Sequence, residues 1–255
     1  MTEPIWIPLA IETAGAVWKT TEALRLHERL ADFFKHKPYL LVLGSTGVGK
    51  TNFLRSLDAS AGLVEAIASS ARTEASSTQV VRVEKQPFRV VDTPGQTAHQ
   101  ADRLRIVREA LAEPPVRVLN VVSYGFHEYL QNAHEAVADE APIPQFLARH
   151  RETEIAAVRE WVPLIGDRES TKWVLTVVTK ADLWWPQHDE VLRHYSEGEY
   201  ARELKAADPS IVHAVVPYCS VIHQFYGRAL LPGNFDDEKR LTTNLHFLDQ
   251  LLRLE

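Results

Sequence analysis

Between Leu40 and Thr51 the chain reads LLVLGSTGVGKT, an apolar run that feeds directly into G-x-x-x-x-G-K-T. Residues of these types at this spacing hold phosphate. Lacking Cβ atoms, Gly44, Gly47 and Gly49 let a loop wrap phosphate oxygens with backbone N–H groups, and a helix starting at about Gly49 adds the positive end of its dipole. Ser45, Thr46, Val48 and Asn52 belong to the same cradle. Lys50 reaches the β- and γ-phosphates of a nucleotide, and the Thr51 hydroxyl takes a place on Mg²⁺. A strand before the loop and a helix after it are what this chemistry requires.

Two further stretches refine the ligand. FRVVDTPGQ places Asp92 at the end of an apolar run, where a carboxylate holds the Mg²⁺ through water. VVTKADL places Thr179, Lys180 and Asp182 directly after another. A carboxylate at Asp182 accepts both the N1–H and the 2-amino hydrogen of guanine, which adenine does not offer in that geometry. The aliphatic stem of Lys180 lies along the base.

The three elements GSTGVGKT, DTPG and TKAD, in this order, resemble the P-loop GTPase superfamily, in particular the Ras-like and translation-factor-related G domains. The resemblance spans roughly residues 39–227 and implies a Rossmann-like three-layer α/β fold, bound GTP or GDP, and Mg²⁺. It also implies roles. The Gly95 N–H senses the γ-phosphate, and a threonine of the polar loop ASSARTEASST binds Mg²⁺, with Thr78 chosen and Thr73 the alternative. Gln96 stands where Ras-like enzymes carry the glutamine that orients the attacking water, so Gln96 and Lys50 are the expected catalytic residues. The guanine-backing S-A-K element is matched only by YCSV, in which Cys219 and Ser220 offer backbone N–H groups to the guanine O6; valine replaces the usual lysine.

The elements that must position these groups are legible as periodicity. Tyr39–Leu43 is a short strand, QVVRVEKQPFRVVD two strands around a Lys-Gln-Pro turn, and VRVLNVVSY, KWVLTVVTK and IVHAVVPYC three more. Helical stretches fall between most of them, which indicates a mostly parallel sheet flanked by helices. Upstream, Glu12 to Lys37 carries Val17, Leu24 and Ala31 at seven-residue spacing and ends at Pro38. This helix either packs on the domain's own sheet or docks a partner, and the pattern leaves both open. Residues 1–38 therefore read as a helical extension and 39–255 as the G domain, with a helical insertion at about 131–168 and a C-terminal helix at about 238–255. The interval from Asp92 to Lys180 is longer than in a compact G domain, and the insertion is a second candidate surface for a protein effector or regulator.

Bulk properties narrow the class. A formal net charge of -6 argues against general nucleic-acid binding, which needs a basic surface, and leaves a local basic patch open. Cys219 is the only cysteine, so no internal disulfide forms, which suits a reducing cytosol. The start MTEPIWIPLA lacks a signal-peptide pattern, and no segment has the apolar length of a membrane span. A cytoplasmic GTPase switch is the leading expectation. An ATPase, a non-hydrolysing nucleotide-binding scaffold and a subunit of a larger complex are the rivals. His127, Glu128 and His134 do not have H-E-x-x-H spacing, and Trp184 and Trp185 read as packing residues.

Overall fold

Each apolar run expected as a strand forms one in the computed structural model, which describes residues 39–57, 78–83, 86–92, 100–110, 116–129, 133–139, 141–166, 171–222, 224–227 and 235–254. The expected N-terminal helix, Thr73, Gly95 and Gln96 lie outside these residues.

In chain order the elements are β1 (Tyr39–Leu43), α1 (Lys50–Leu57), β2 (Thr78–Val83), β3 (Gln86–Asp92), α2 (Gln100–Ala110), β4 (Val116–Val122), α3 (Ala133–Ala136), β5 (Val137–Ala138), β6 (Ala141–Pro142), α4 (Pro144–Gly166), β7 (Thr171–Val178), α5 (Ala181–Trp184), a 3₁₀ turn (Trp185–Gln187), α6 (His188–Ser196), α7 (Glu199–Ala207), β8 (Val212–Pro217) and α8 (Asp237–Arg253). Six strands make one sheet in the order β2-β3-β1-β4-β7-β8, and β5 pairs with β6 separately. All contacts in the large sheet are parallel except β2 with β3. That hairpin turns earlier than expected. Gln86 and Pro87 already lie in β3, opposite Val83 and Arg82. β1 joins β3 only from Arg89 on, so Pro87 precedes the parallel pairing and its missing N–H breaks no bond there.

Strand alternation builds two cores from the same residues' neighbours. Leu41, Leu43, Val118, Val122, Val174 and Val178 face one side, against Val158, Trp161 and Ile165 of α4, Val191 and Tyr195 of α6, and Tyr200 and Leu204 of α7. Leu40, Val42, Leu119, Val121, Leu175 and Val177 face the other, against Phe53 and Leu54 of α1 and Leu245, Phe247, Leu248 and Leu251 of α8. Strands buried on both faces read as continuous apolar runs, which is why they stood out. Asn120, a polar group that enters the core, donates to the Tyr200 hydroxyl, which also lies 2.9 Å from Thr176 Oγ1.

α4 lies between β4 and β7 in the chain, where a parallel pair needs a crossover, and it occupies most of the second half of the 131–168 interval. α8 starts on Asp236, whose side chain accepts from the Lys239 N–H at 2.9 Å, and carries Asp237 and Glu238 in its first turn, where carboxylates meet the positive helix end. Among the described residues no helix is long and apolar enough to cross a membrane. β1 is flanked by β3 on one side and β4 on the other, so the chain leaves it first in one direction and later in the other. In open α/β sheets the crevice beyond the strand ends at such a reversal is the ligand site.

Candidate functional site

The loop from Gly44 to Gly49 opens at that reversal and runs into the N-terminus of α1, whose first N–H groups have no partner within the helix. Its glycines are required by space as well as by φ. Gly44 has φ 141, and a Cβ there would lie 2.3 Å from the Val121 carbonyl oxygen of β4. Gly47 has φ 80, and its Cβ would lie 2.8 Å from the Glu128 carbonyl oxygen. The backbone is thus drawn tight against its neighbours, the form of a cradle for phosphate oxygens. Lys50 is buried, and its Nζ donates to the carbonyls of Gly44 at 2.6 Å and Ser45 at 2.9 Å, which holds the ammonium at the loop itself. Residues and geometry therefore fit a nucleotide phosphate chain.

The T-K-A-D segment is bonded to this loop. The Thr179 hydroxyl contacts two carbonyls, Val48 of the loop at 2.5 Å and Val122 of β4 at 2.9 Å. Lys180 adopts a left-handed backbone (φ 57, ψ 41), a conformation costing a non-glycine residue roughly 1–2 kcal/mol. It is held there by its own side chain, which donates to Phe126 O at 2.7 Å, Gly47 O at 3.1 Å and Glu128 Oε2 at 2.7 Å. Asp182 follows in the first turn of α5. The Cys219 thiol donates to Asp182 Oδ1 at 3.4 Å, and burial first, then the Asp182 charge, push that thiol well above its usual range.

One expected donor already has a partner here. The Cys219 N–H, expected at the guanine O6, is donated to Asn244 Oδ1 of α8 at 3.2 Å, while Asn244 Nδ2 donates back to the Cys219 carbonyl at 3.0 Å. α8 thus fixes the YCSV turn through Cys219, and Ser220 is the member of the pair to which the base-contact expectation still applies.

For a metal, the backbone puts Thr51 in the first turn of α1, Asp92 at the end of β3 opposite Val42, and Thr78 at the start of β2 opposite Val91. All three positions therefore lie at the margin of the sheet where the phosphate loop begins. Hard oxygen donors of this kind suit Mg²⁺.

A network that the motifs did not announce backs the loop after β4. Tyr124 (φ 53) and Gly125 (φ 83) form a tight turn closed by Phe126 N–H to Ser123 O at 3.0 Å. Glu154 of α4, only 2% exposed, fills this turn with its carboxylate. Oε1 accepts from Ser123 N at 2.8 Å and lies 2.9 Å from His127 Nε2, and the Tyr195 hydroxyl donates to Oε2 at 2.5 Å. Although burial opposes ionisation, the bonds from His127, Tyr195 and Ser123 hold the Glu154 carboxyl below its ordinary range. The sequence did contain a signal: Glu154 sits at helical spacing on the stripe Val158, Trp161, Ile165, a charge on an apolar face. His127, Glu128 and His134 point to different partners, Glu154, Lys180 and Glu135. Trp184 is a packing residue, buried with its indole N–H on the Thr179 carbonyl at 2.7 Å.

The 50S ribosome-binding GTPase family model matches residues 39–157, somewhat under half of the chain. No curated protein matches significantly. Among solved structures, the chain is similar to a dimerization-deficient Toc33 variant from Arabidopsis thaliana, at 15% identity and TM-score 0.47, covering 94% of each chain. It is also similar to the Arl6 small GTPase from Trypanosoma brucei with a bound nucleotide analogue, at 10% identity and TM-score 0.45, covering 85% of this chain and 97% of that one. A third is the GDP-bound signal recognition particle receptor SRb from Chaetomium thermophilum, at 12% identity and TM-score 0.43, with 85% and 98% covered. At such scores these three likenesses add nothing to the reading of the site. The matched family model, the phosphate loop and the T-K-A-D segment bonded to it make this chain similar to the P-loop GTPases, with the α/β P-loop NTPase fold and no subfamily resolved.

Proposed function

We propose that the domain binds GTP with Mg²⁺, hydrolyses it to GDP and phosphate, and acts as a nucleotide-controlled switch. The observation that carries this reading is the direct bonding of the base-reading segment to the phosphate loop, Lys180 Nζ on Gly47 O and the Thr179 hydroxyl on Val48 O. That arrangement sets the distance between a triphosphate and its base, and Asp182 makes the base guanine. Lys50 and the loop N–H groups bind and orient the phosphates, Gln96 aims water at the γ-phosphate, and Gly95 senses its presence. Thr51, Asp92 and Thr78 would hold the Mg²⁺, which when bound neutralises charge on the β- and γ-phosphate oxygens.

A change in the loops between GTP and GDP states would be read by a protein partner, with residues 1–38 and 131–168 the proposed surfaces. The test is a titration of the whole chain with GTP and ATP, followed by Asp182→Asn. GTP should bind and ATP compete poorly, and Asp182→Asn should move preference toward xanthine nucleotides. Equal affinity for ATP and GTP would overturn the assignment of the base.

A further inference from the structure

Glu128 ties together, by side chain and backbone, three segments that meet at the candidate nucleotide site. Its Oε2 accepts from Lys180 Nζ at 2.7 Å, and its Oε1 accepts from the backbone N–H of Tyr226 at 3.1 Å. Its own N–H donates to Gly47 O at 3.2 Å. One residue thus contacts the phosphate loop, the base-reading lysine and the segment 224–227 that follows the YCSV turn. The last of these is strapped down a second time, because Tyr129 N–H donates to the Tyr226 hydroxyl at 2.7 Å. Tyr226 itself is left-handed (φ 52), so it is held in this position against its backbone preference.

Glu128 is in turn held by the turn that Glu154 fills, only a few residues earlier in the chain. The path runs from a buried carboxylate in α4, through Ser123 and His127, to Phe126 O and Glu128, and from there to Lys180 and Gly47.

We infer that Glu128 is a positioning residue that latches the base side of the site and sets how fast bound guanine nucleotide is released. The inference rests on the guanine reading above. A nucleotide that spans the phosphate loop and the T-K-A-D segment keeps its phosphate and base contacts together only while those segments hold their spacing. Glu128 bonds all three, its carboxylate the T-K-A-D lysine and the strap beyond, and its backbone N–H the phosphate loop.

The experiment is displacement of fluorescent GDP by excess unlabelled GDP from full-length wild type, Glu128→Ala, Glu128→Gln and Lys180→Ala, plus the Glu128→Ala/Lys180→Ala double variant. Single-turnover GTP hydrolysis is measured in parallel, and thermal unfolding confirms that each variant is folded. Glu128→Ala should release GDP about tenfold faster, as expected for loss of a charged hydrogen bond. Glu128→Gln, which keeps the shape and one acceptor, should fall between. The single-turnover rate should stay near wild type, a split that general loosening of the fold would not produce. The double variant should release GDP less fast than the two single effects combined would give, because the Glu128–Lys180 bond is lost only once. A release rate unchanged in both Glu128 variants, or additive effects in the double variant, would overturn the latch. Wild type that retains no GDP would overturn the guanine reading and the latch with it, an outcome distinct from a wild type that binds GDP and is unaffected by Glu128.

Discussion

Thr179 and Val48 are 131 positions apart in the chain, yet the hydroxyl of one lies 2.5 Å from the carbonyl oxygen of the other. The same hydroxyl lies 2.9 Å from Val122 O, so a single side chain joins the ends of β7 and β4 to the phosphate loop. Removing it takes the side-chain donor from Val48 O at a buried seam, while Val122 O keeps the Thr179 backbone N–H at 2.8 Å.

Thr179→Val, which keeps the shape and deletes the hydroxyl, should therefore lower stability by about 1–3 kcal/mol and weaken GDP binding, whereas Thr179→Ser should retain both. Chemical denaturation and nucleotide titration of the two variants check this. Equal unfolding midpoints for Thr179→Val and wild type would remove the joint from the account of the site.

Hydrolysis, if it depends on Gln96 as proposed, should separate from binding. Gln96→Leu should slow single-turnover hydrolysis on the order of 10²-fold while GTP affinity holds, and Lys50→Ala should abolish binding altogether. Matching turnover in Gln96→Leu and wild type would return the water-positioning role to another group.

Stability should decline on mild acidification. Burial pushes His150 and His213 down from 6.5 to about 4, with neighbouring cations adding to the effect. Between these values the unfolded chain binds protons that the folded chain does not. The contribution is present above the unfolded pKa of 6.5 and is lost as pH falls toward about 4. Glu154 extends the loss to lower pH, since its folded carboxyl titrates below the unfolded 4.5. Melting temperatures from pH 7 to 4 should fall, and His213→Gln should flatten part of the slope. A flat profile would contradict the burial of these groups.

Two glycines with similar φ should respond differently to alanine. At Gly125 (φ 83) a Cβ would meet Leu147 O of α4 at 2.2 Å, whereas at Gly227 (φ 73) it would meet nothing within 4 Å. Gly227→Ala should cost only the left-handed conformation, roughly 1–2 kcal/mol. Gly125→Ala should cost clearly more, because backbone cannot yield as a flexible side chain does. Calorimetry of the pair decides it, and equal losses would mean the turn after β4 can shift.

The parts of the site that were legible before the fold are those whose chemistry is local. GSTGVGKT and TKAD each present all their groups within one loop, and strands buried on both faces announce themselves as apolar runs. The Glu154 network was not legible in that way. Ser123, His127, Glu154 and Tyr195 come from a turn and two helices, and their meeting is set by how α4 and α6 pack on β4. The Cys219–Asn244 bond was not legible for a related reason: Asn244, which takes the Cys219 N–H, comes from α8, and no local pattern ties that helix to the YCSV turn. The hairpin between β2 and β3 was misplaced because Pro87 reads as a turn residue, although it is tolerated ahead of the parallel pairing.

The alternation of β1 has a consequence for motion. A slip of one residue would send Leu41 and Leu43 into the layer built around α1 and α8, and Leu40 and Val42 into the opposite one. It would also move Gly44 away from the Val121 carbonyl that it closely abuts. β1 is pinned by both layers at once, so the phosphate loop starts from a strand end that cannot slide, and the proposed switch would have to move elements other than β1.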